Sequence, residues 1–394
     1  MHSVDQAIAR LLATVQPIAD VEQLGIDQCC GAVLAKRLVS GVNVPPADNS
    51  AMDGYALRHD SWHHADTPIP VSQRVPAGAV AEKLAPGTAA RIFTGAEIPP
   101  DADTVVIQEN CSEIDGSVLI KKMPEKGANI RPRAQDVAKG QVVLEAGRRL
   151  RPQETGLLAS LGMATVPACR RLRVAVLSNG SELVEPGEPV AGGQIYNSNR
   201  YLLNALLRGW GFEVMDLGIV RDDPAEIQQL LGETAGKADV IVSSGGVSVG
   251  EEDHIRNVVA GLGALELWKV SIKPGKPFAF GHVCGTPFLG LPGNPASVLV
   301  TALIVARPYL WSLQGMSNTE VQPMQVRATF SRKAPSRTEY LRVRHSPKGL
   351  EIYPSQSSGI LFSSVWGNGL AVQPEGHEIH KGDTIDFLPY ALLL

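Results

Sequence analysis

Acids, lysines and glycines recur at the ends of short apolar runs along this 394-residue chain. The densest case is Val240–Asp253, VIVSSGGVSVGEED. Val240–Val242 reads as a buried strand. Ser243, Ser244, Gly245 and Gly246 follow at once, then Ser248 and Gly250, then Glu251, Glu252 and Asp253. Glycine lets backbone approach a phosphate with its N–H groups pointing at it. Acids just beyond would repel phosphate unless a cation sat between them. Mg²⁺ takes one or two carboxylates and completes its shell with water and phosphate oxygen. The stretch therefore reads as a metal-assisted phosphate or oxyanion site. A tight strand-to-helix turn with solvated acids has the same text, and this stretch alone does not choose between them.

Other polar clusters also fall on loops. Asp48, Ser50 and Asp53 surround a break at VPPADN, and Thr94-Gly95-Ala96 follows a short strand. Asn129, Arg131, Arg133, Gln135 and Asp136 form a second polar loop. Ser178-Asn179-Gly180-Ser181-Glu182 ends another strand, Asp222-Asp223 precedes a helix, and Lys269, Lys273 and Lys276 are spread over WKVSIKPGKP. Leu291-Pro292-Gly293-Asn294-Pro295 opens the last long helix. Each has a plain structural reading as well. Asp223-Pro224 and Asn294-Pro295 are ordinary helix starts. Glu182 alone would suit a surface acid, and the lysines a solvated strand face. Convergence raises the functional reading: acids could hold a metal, and lysines could offset oxyanion charge. No Ser–His–Asp order, P-loop or HExxH spacing appears, and the nine histidines are scattered.

Several domains must position these groups, because the chain is too long for one ordinary core. Apolar residues at 44% and charged residues at 19% suit a soluble globular enzyme. A net charge of −4 argues against a general nucleic-acid binder. Five cysteines without CxxC spacing suit a reducing cytoplasm; Cys29 and Cys30 sit in a helical pattern and read as small core residues. The start of the chain lacks a signal-peptide core, and the apolar run Ala296–Ala306 is too short to span a bilayer, so no membrane role is expected.

Apolar spacing from Val4 to Ile18 predicts an amphipathic helix over 3–19, and 22–39 a second short helix and a strand. Short β-runs broken by glycine and proline fill about 68–135. Strand and helix text then resumes at 141–167, which makes 45–138 a β-rich domain inserted into an N-terminal mixed domain, 1–44 plus 139–170. Strand and helix alternate over 171–316, predicting an α/β layer with a mainly parallel sheet, whose ligands sit beyond the carboxyl ends of the strands. Alternating segments in 317–394 predict a small C-terminal β-barrel-like domain.

Taken together, PPADNSAMDGYALR (45–58), RIFTGAEIPPDADTVVIQEN (91–110), GANIRPRAQDVAKG (127–140), SNGSEL (178–183), GQIYNSNR (193–200), RDDP (221–224), SSGGVSVGEED (243–253), WKVSIKPGKPFAFG (268–281) and LPGNPAS (291–297) resemble the molybdopterin molybdenumtransferase family, the MoeA proteins and the gephyrin E domain. The match runs in the family's order through almost the whole chain and thins in the last 75 residues, where LFSSVWGNGL (361–370) carries it. The resemblance implies an α/β layer of the MoaB/Mog type. It implies the last step of molybdenum cofactor synthesis: adenylylated molybdopterin and molybdate react with Mg²⁺ present, giving the cofactor and AMP. It also implies a homodimer whose cleft joins the α/β domain of one subunit to the β-rich domain of the other, with handover from molybdopterin adenylyltransferase.

The family's roles carry over to named residues. Asp53, Thr94, Glu182, Asp222, Asp253, Lys269 and Lys273 would be catalytic, and Asp253, Glu182 and Asp222 would hold the metal. Arg131, Asp136, Ser243, Ser244, Gly245, Gly246, Ser248, Lys276, Pro292, Pro295 and Ser363 would bind substrate. Asn179 and Ser181 depart from the Thr and Asp of many members, and Glu252 adds a charge near the proposed metal. Two other readings compete. An adenylyltransferase would not need the N-terminal and β-rich text. A silent scaffold would not need to keep every acid and lysine of the cluster.

Overall fold

The computed structural model describes residues 1–246 and 254–394. Its centre is a six-stranded sheet in the order Glu213–Val220, Arg173–Asn179, Val240–Ser244, Thr286–Leu291, Pro277–Val283, Gly263–Lys269. The first four strands are parallel, in register at Val174↔Val214, Val174↔Val240 and Val242↔Leu289. The last two fold back as an antiparallel extension. Both faces of this sheet are covered, which is why its strands read as unbroken apolar runs. On one face Ala175, Leu177, Ile241 and Phe288 meet the helices Pro224–Thr234 and His254–Leu262. On the other, Val174, Val176, Val242 and Leu289 join a larger core with the helix Ser198–Gly209.

That larger core is built around Pro295–Leu313. This 19-residue helix is long and apolar enough, by length and composition, to cross a membrane, yet 89% of its most apolar stretch is buried inside the protein. Its middle, Ala302–Ala306, is a π turn, with the amide of Arg307 donating to the carbonyl of Ala302. Pro224 follows Asp223, whose carboxylate accepts from the amides of Ala225 and Glu226. Asn197 caps the Ser198 helix in the same way. Asn294 occupies the equivalent place before Pro295, but its side chain makes no capping bond.

The β-rich insertion leaves and returns side by side, bridged at Val44↔Val137. Its sheet runs Thr104–Ile107, Gly54–Leu57, Ala89–Ile92, Ile69–Val75, Ser117–Ile120, Cys111–Ile114. The C-terminal domain has the order Ile272–Lys273, Thr338–Ser346, Gly369–Gln373, Thr384–Pro389, Met324–Arg327. Gly349–Ile352 pairs with Thr338–Ser346, and a bridge from Leu350 to Ala328 closes the ring. Its first strand, Ile272–Lys273, comes from the α/β domain and pairs with Thr338 and Glu339.

Three expectations fail locally. The first helix covers only Val4–Leu12, with a Ser3–Gln6 capping box. Beyond it Val15 and Ile18 still pack on the core, but Ile18 does so from extended chain, its amide bonded to the carbonyl of Leu313. Apolar spacing recorded burial there and not helix. That helix also packs against the large α/β core, through Val4, Ala7 and Leu11, while the N-terminal mixed domain closes its own core with Cys29, Leu34, Leu144, Leu158 and Val166. No helix forms within 22–39. Cys29 lies in a turn, buried, with its thiol donating to the carbonyl of Ile26, and Cys30 is exposed.

Candidate functional site

Four loops meet at the carboxyl ends of the parallel strands. The strand Arg173–Asn179 runs into Gly180-Ser181-Glu182. Ser181 donates from both its amide and its hydroxyl to one oxygen of Asp222, at 2.8 and 2.7 Å. Asn179 donates to the carbonyls of Val220 and Arg221 at 3.2 and 3.4 Å, tying the same two loops together beneath. The Glu182 carboxylate folds over Gly180, where an added Cβ would lie 2.4 Å from its Oε2. Glu182 and Asp222 are thus neighbours. The second oxygen of Asp222 and both oxygens of Glu182 accept no hydrogen bond among the described residues.

The glycine loop lies against this pair. Gly245 and Gly246 both have left-handed backbone, φ 87° and 67°. A Cβ on Gly246 would meet Ile255 Cδ1 at 2.8 Å and Asn179 Oδ1 at 3.0 Å, so space as well as φ requires glycine. The Gly245 amide is spent on the carbonyl of Leu291, at 3.2 Å, so it is not a free phosphate donor. Ser243 and Ser244 support this loop through their side chains. Both are buried; the Ser243 hydroxyl donates to the carbonyl of Gly245, and Ser244 shares a bond with Ser178. Their hydroxyls brace the loop and do not face the opening. Ser248 and Asp253, with Glu251 and Glu252, lie outside the described residues.

Gly293 packs beside Gly245, and Asn199 pins it by donating to its carbonyl at 2.6 Å. Pro292 is buried, and Pro295 begins the core helix. The lysine loop reaches this wall at Gly275, where a Cβ would sit 2.4 Å from Thr301 Cγ2 and 3.8 Å from Pro292 Cγ. Lys269 and Lys276 are exposed beside it. Lys273 is partly exposed and already paired: its ammonium donates to Glu339 at 2.6 Å, and the buried Glu339 also binds Arg332 at 2.7 Å. In this structure Lys273 is an ion-pair strut to the C-terminal domain and not a spare charge.

Ser363 has a wholly buried hydroxyl that donates to the carbonyl of Ile360 and accepts from Arg342 Nε at 3.1 Å. It therefore braces an arginine and shows no face of its own. Arg342 is 1% exposed and bonds only neutral acceptors, including the carbonyls of Tyr340 and Ser357, so burial pulls its pKa down. Ser358, next along, accepts from the amide of Ala296, which sets this guanidinium close behind the start of the core helix. Sequence reading missed Arg342, Glu339, and Asn199 as a loop fastener; a charged residue inside an alternating strand was the one available signal for the first two.

The insertion carries a second clamp of the same design. Thr94 donates from its amide and its hydroxyl to one oxygen of Asp53, at 2.8 and 2.7 Å. These bonds, with Arg91 nearby, hold the Asp53 carboxyl below the usual range. Arg133 donates through its amide to Asp48, and Arg131 and Asp136 are exposed on the same polar loop. Among the described residues no hydrogen bond or ion pair joins this cluster to the strand-end site within one chain.

Two carboxylates from adjacent loops, with oxygens that accept no hydrogen bond among the described residues, suit Mg²⁺ better than a soft or nitrogen-seeking metal. No closed cage of three or more His, Cys, Asp or Glu occurs among the described residues.

Comparison with known proteins covers the chain from end to end. Residues 2–162 match the family described as MoeA N-terminal region (domain I and II), 175–311 the probable molybdopterin binding domain, and 325–390 the MoeA C-terminal region (domain IV). A Haemophilus influenzae protein named molybdopterin molybdenumtransferase is 37% identical, with 100% of both chains covered. A Nostoc protein of the same name is 36% identical over 94% of this chain and 88% of its own. The crystal structure of a molybdopterin biosynthesis MoeA protein from Pyrococcus horikoshii OT3 superposes with a TM-score of 0.86 at 28% identity, covering 99% of this chain and 100% of that one.

Proposed function

As this chain belongs to the molybdopterin molybdenumtransferase (MoeA) family, enzymes of molybdenum cofactor biosynthesis, we propose that it takes adenylylated molybdopterin and molybdate and, with Mg²⁺, yields the cofactor and AMP. The observation that carries this reading is the Ser181–Asp222 clamp beside Glu182, set against the glycine loop at the ends of the parallel strands. Bound there, Mg²⁺ would supply positive charge to the phosphoanhydride oxygens.

The chain's own residues do the rest. Ser181 fixes one oxygen of Asp222 and leaves the other without a hydrogen bond among the described residues. Asn199 and the packed glycines hold the 291–295 wall at a fixed distance from the acids. Lys269 and Lys276 offset anionic charge from the open side. Arg342, buried without a carboxylate partner, adds a positive field from behind. The Thr94–Asp53 clamp belongs to the opposite wall, which a second copy of this chain would supply in a homodimer. Five free thiols are in keeping with a cytoplasmic enzyme receiving substrate from the adenylyltransferase before it. A scaffold without catalysis leaves the oxygens of Glu182 and Asp222 that are unpaired among the described residues without an explanation.

The test is AMP release from adenylylated molybdopterin with molybdate and Mg²⁺, for the wild-type chain, Asp222→Asn and Asp253→Asn. Turnover lost in both variants, with folding intact, is expected. A folded wild-type protein that releases no AMP overturns the reading. Light scattering at micromolar concentration tests the dimer; a fully active monomer refutes the shared cleft.

A further inference from the structure

Glu339 holds two cations at once. Its two oxygens take Lys273 at 2.6 Å and Arg332 at 2.7 Å, and its side chain is 5% exposed. Glu154 and Asp239 also hold two cations, but theirs are all arginines: Arg148 and Arg151 for the one, Arg170 and Arg173 for the other. At Glu339 one cation is a lysine, and it is the more exposed of the pair, at 44% against 26% for Arg332. Two positive charges on one carboxylate leave one in excess.

The backbone that carries Lys273 is tied down on every side. Lys273 stands opposite Glu339 in strand register. The amide of Val270 donates to the carbonyl of Lys276 and closes the loop. The Ser271 amide donates to the carbonyl of His2 and its hydroxyl to Glu375, while Arg337 donates to the carbonyl of Ile272. Gly275 is packed against Thr301 and Pro292, in the wall of the strand-end site. What is left to move is the lysine side chain, a point charge on a flexible four-carbon stem. If the ammonium leaves, Glu339 is still bound by Arg332. Without Arg332 the same movement would strand a buried carboxylate, which is costly.

We propose that Arg332 and Glu339 form a latch for Lys273. Glu339 parks the ammonium, and Arg332 keeps Glu339 neutralised when the ammonium turns to a tetrahedral oxyanion at the strand-end site. Arg332 is thus a positioning residue, acting through Lys273 without touching substrate. The inference rests on the proposal above that this site takes molybdate, and it adds how one lysine is made available there. The two partners of the latch then have opposite effects on the anion. Loss of Arg332 locks Lys273 onto Glu339; loss of Glu339 releases it. A strut with a purely structural role has no such asymmetry.

The experiment is calorimetric titration of the full chain with sodium molybdate, with Mg²⁺ present and at constant ionic strength, for wild type, Arg332→Gln, Arg332→Lys and Glu339→Gln. Arg332→Gln should weaken molybdate binding at least fivefold, Arg332→Lys should restore most of it, and Glu339→Gln should bind at least as tightly as wild type. A second arm is trace acetylation read by mass spectrometry. The Lys273 amine of Glu339→Gln should react faster than that of wild type, and saturating molybdate should slow it. Should Arg332→Gln fail to fold, the acetylation arm decides. No molybdate binding by wild type, equal losses in Arg332→Gln and Glu339→Gln, or Lys273 acetylation that molybdate leaves unchanged overturns the latch. Neither arm needs turnover: a chain that shows this pattern and releases no AMP keeps the latch and loses the transferase reading.

Discussion

Replacing Lys273 by methionine separates two jobs that the sequence merges. The ammonium lies 2.6 Å from Glu339, whose side chain is only 5% exposed, while Lys273 itself is 44% exposed. Removing one partner of a buried pair costs about 3–5 kcal/mol. Two features reduce that here: Arg332 still holds the other oxygen of Glu339, and water already reaches Lys273. A loss of about 1–2 kcal/mol follows, equal to a Tm drop on the order of 2–4 °C per kcal/mol in a domain of this size. The assay is a cycle of Lys273→Met, Glu339→Gln and the double variant in thermal and urea melts, each also titrated with molybdate during AMP release. Non-additivity of about 1 kcal/mol or more between the single variants identifies the strut. Additive, wild-type-like melts for Lys273→Met would refute the structural role. A shifted molybdate curve with unchanged melts would return Lys273 to direct anion contact.

Other perturbations read other parts of the molecule. Thr94→Val removes a hydroxyl from Asp53 but keeps the amide bond, so the Asp53 carboxyl should rise toward its ordinary value. Carboxyl NMR should record the rise, and the acid limb of turnover should move to higher pH. Glu154 is held at about 2 by Arg151 and Arg148, below its usual value near 4.5. Because its folded pKa is depressed, its contribution to stability is complete above about 4.5 and is lost as pH falls toward about 2. Urea midpoints measured through that window should fall for wild type and fall less for Glu154→Gln. Gly246→Ala should destabilise the glycine loop through both its left-handed φ and the Ile255 contact, lowering turnover more than global melting. Asp222→Asn should weaken Mg²⁺ binding measured by calorimetry without substrate, and Ser181→Ala should do so to a smaller extent, with Ser181→Thr restoring it.

Much of the architecture was legible in the chain because both-face burial writes plain text. Val174–Leu177 and Val240–Val242 had to be inner strands, and Pro224 and Pro295 marked helix starts that the structure keeps. The insertion was visible as strand grammar interrupted and resumed. The failures share a cause. Val15 and Ile18 kept an apolar rhythm for the sake of a core that extended chain also reaches. Glu182, Asp222, Gly245, Gly246 and Pro292 do converge, since strand ends bring them together whatever their separation in sequence. Side-chain commitments were not readable. Nothing near Lys273 announces Glu339, Ser243 looks the same whether its hydroxyl faces in or out, and Ser363 gives no sign of its arginine.

The π turn at Ala302–Ala306 sets the angle between the two ends of the core helix. One residue more than a regular winding is accommodated there, and each residue of an α-helix turns the axis by about 100°. Pro295 is held by the strand-end loops and Leu313 by the amide of Ile18, so neither end can swivel to absorb a change. Deleting a single alanine at the turn would restore regular winding and leave Arg307 and Trp311 facing Arg149 as before. The bulge thus stores one residue more than the two remote faces of the molecule need.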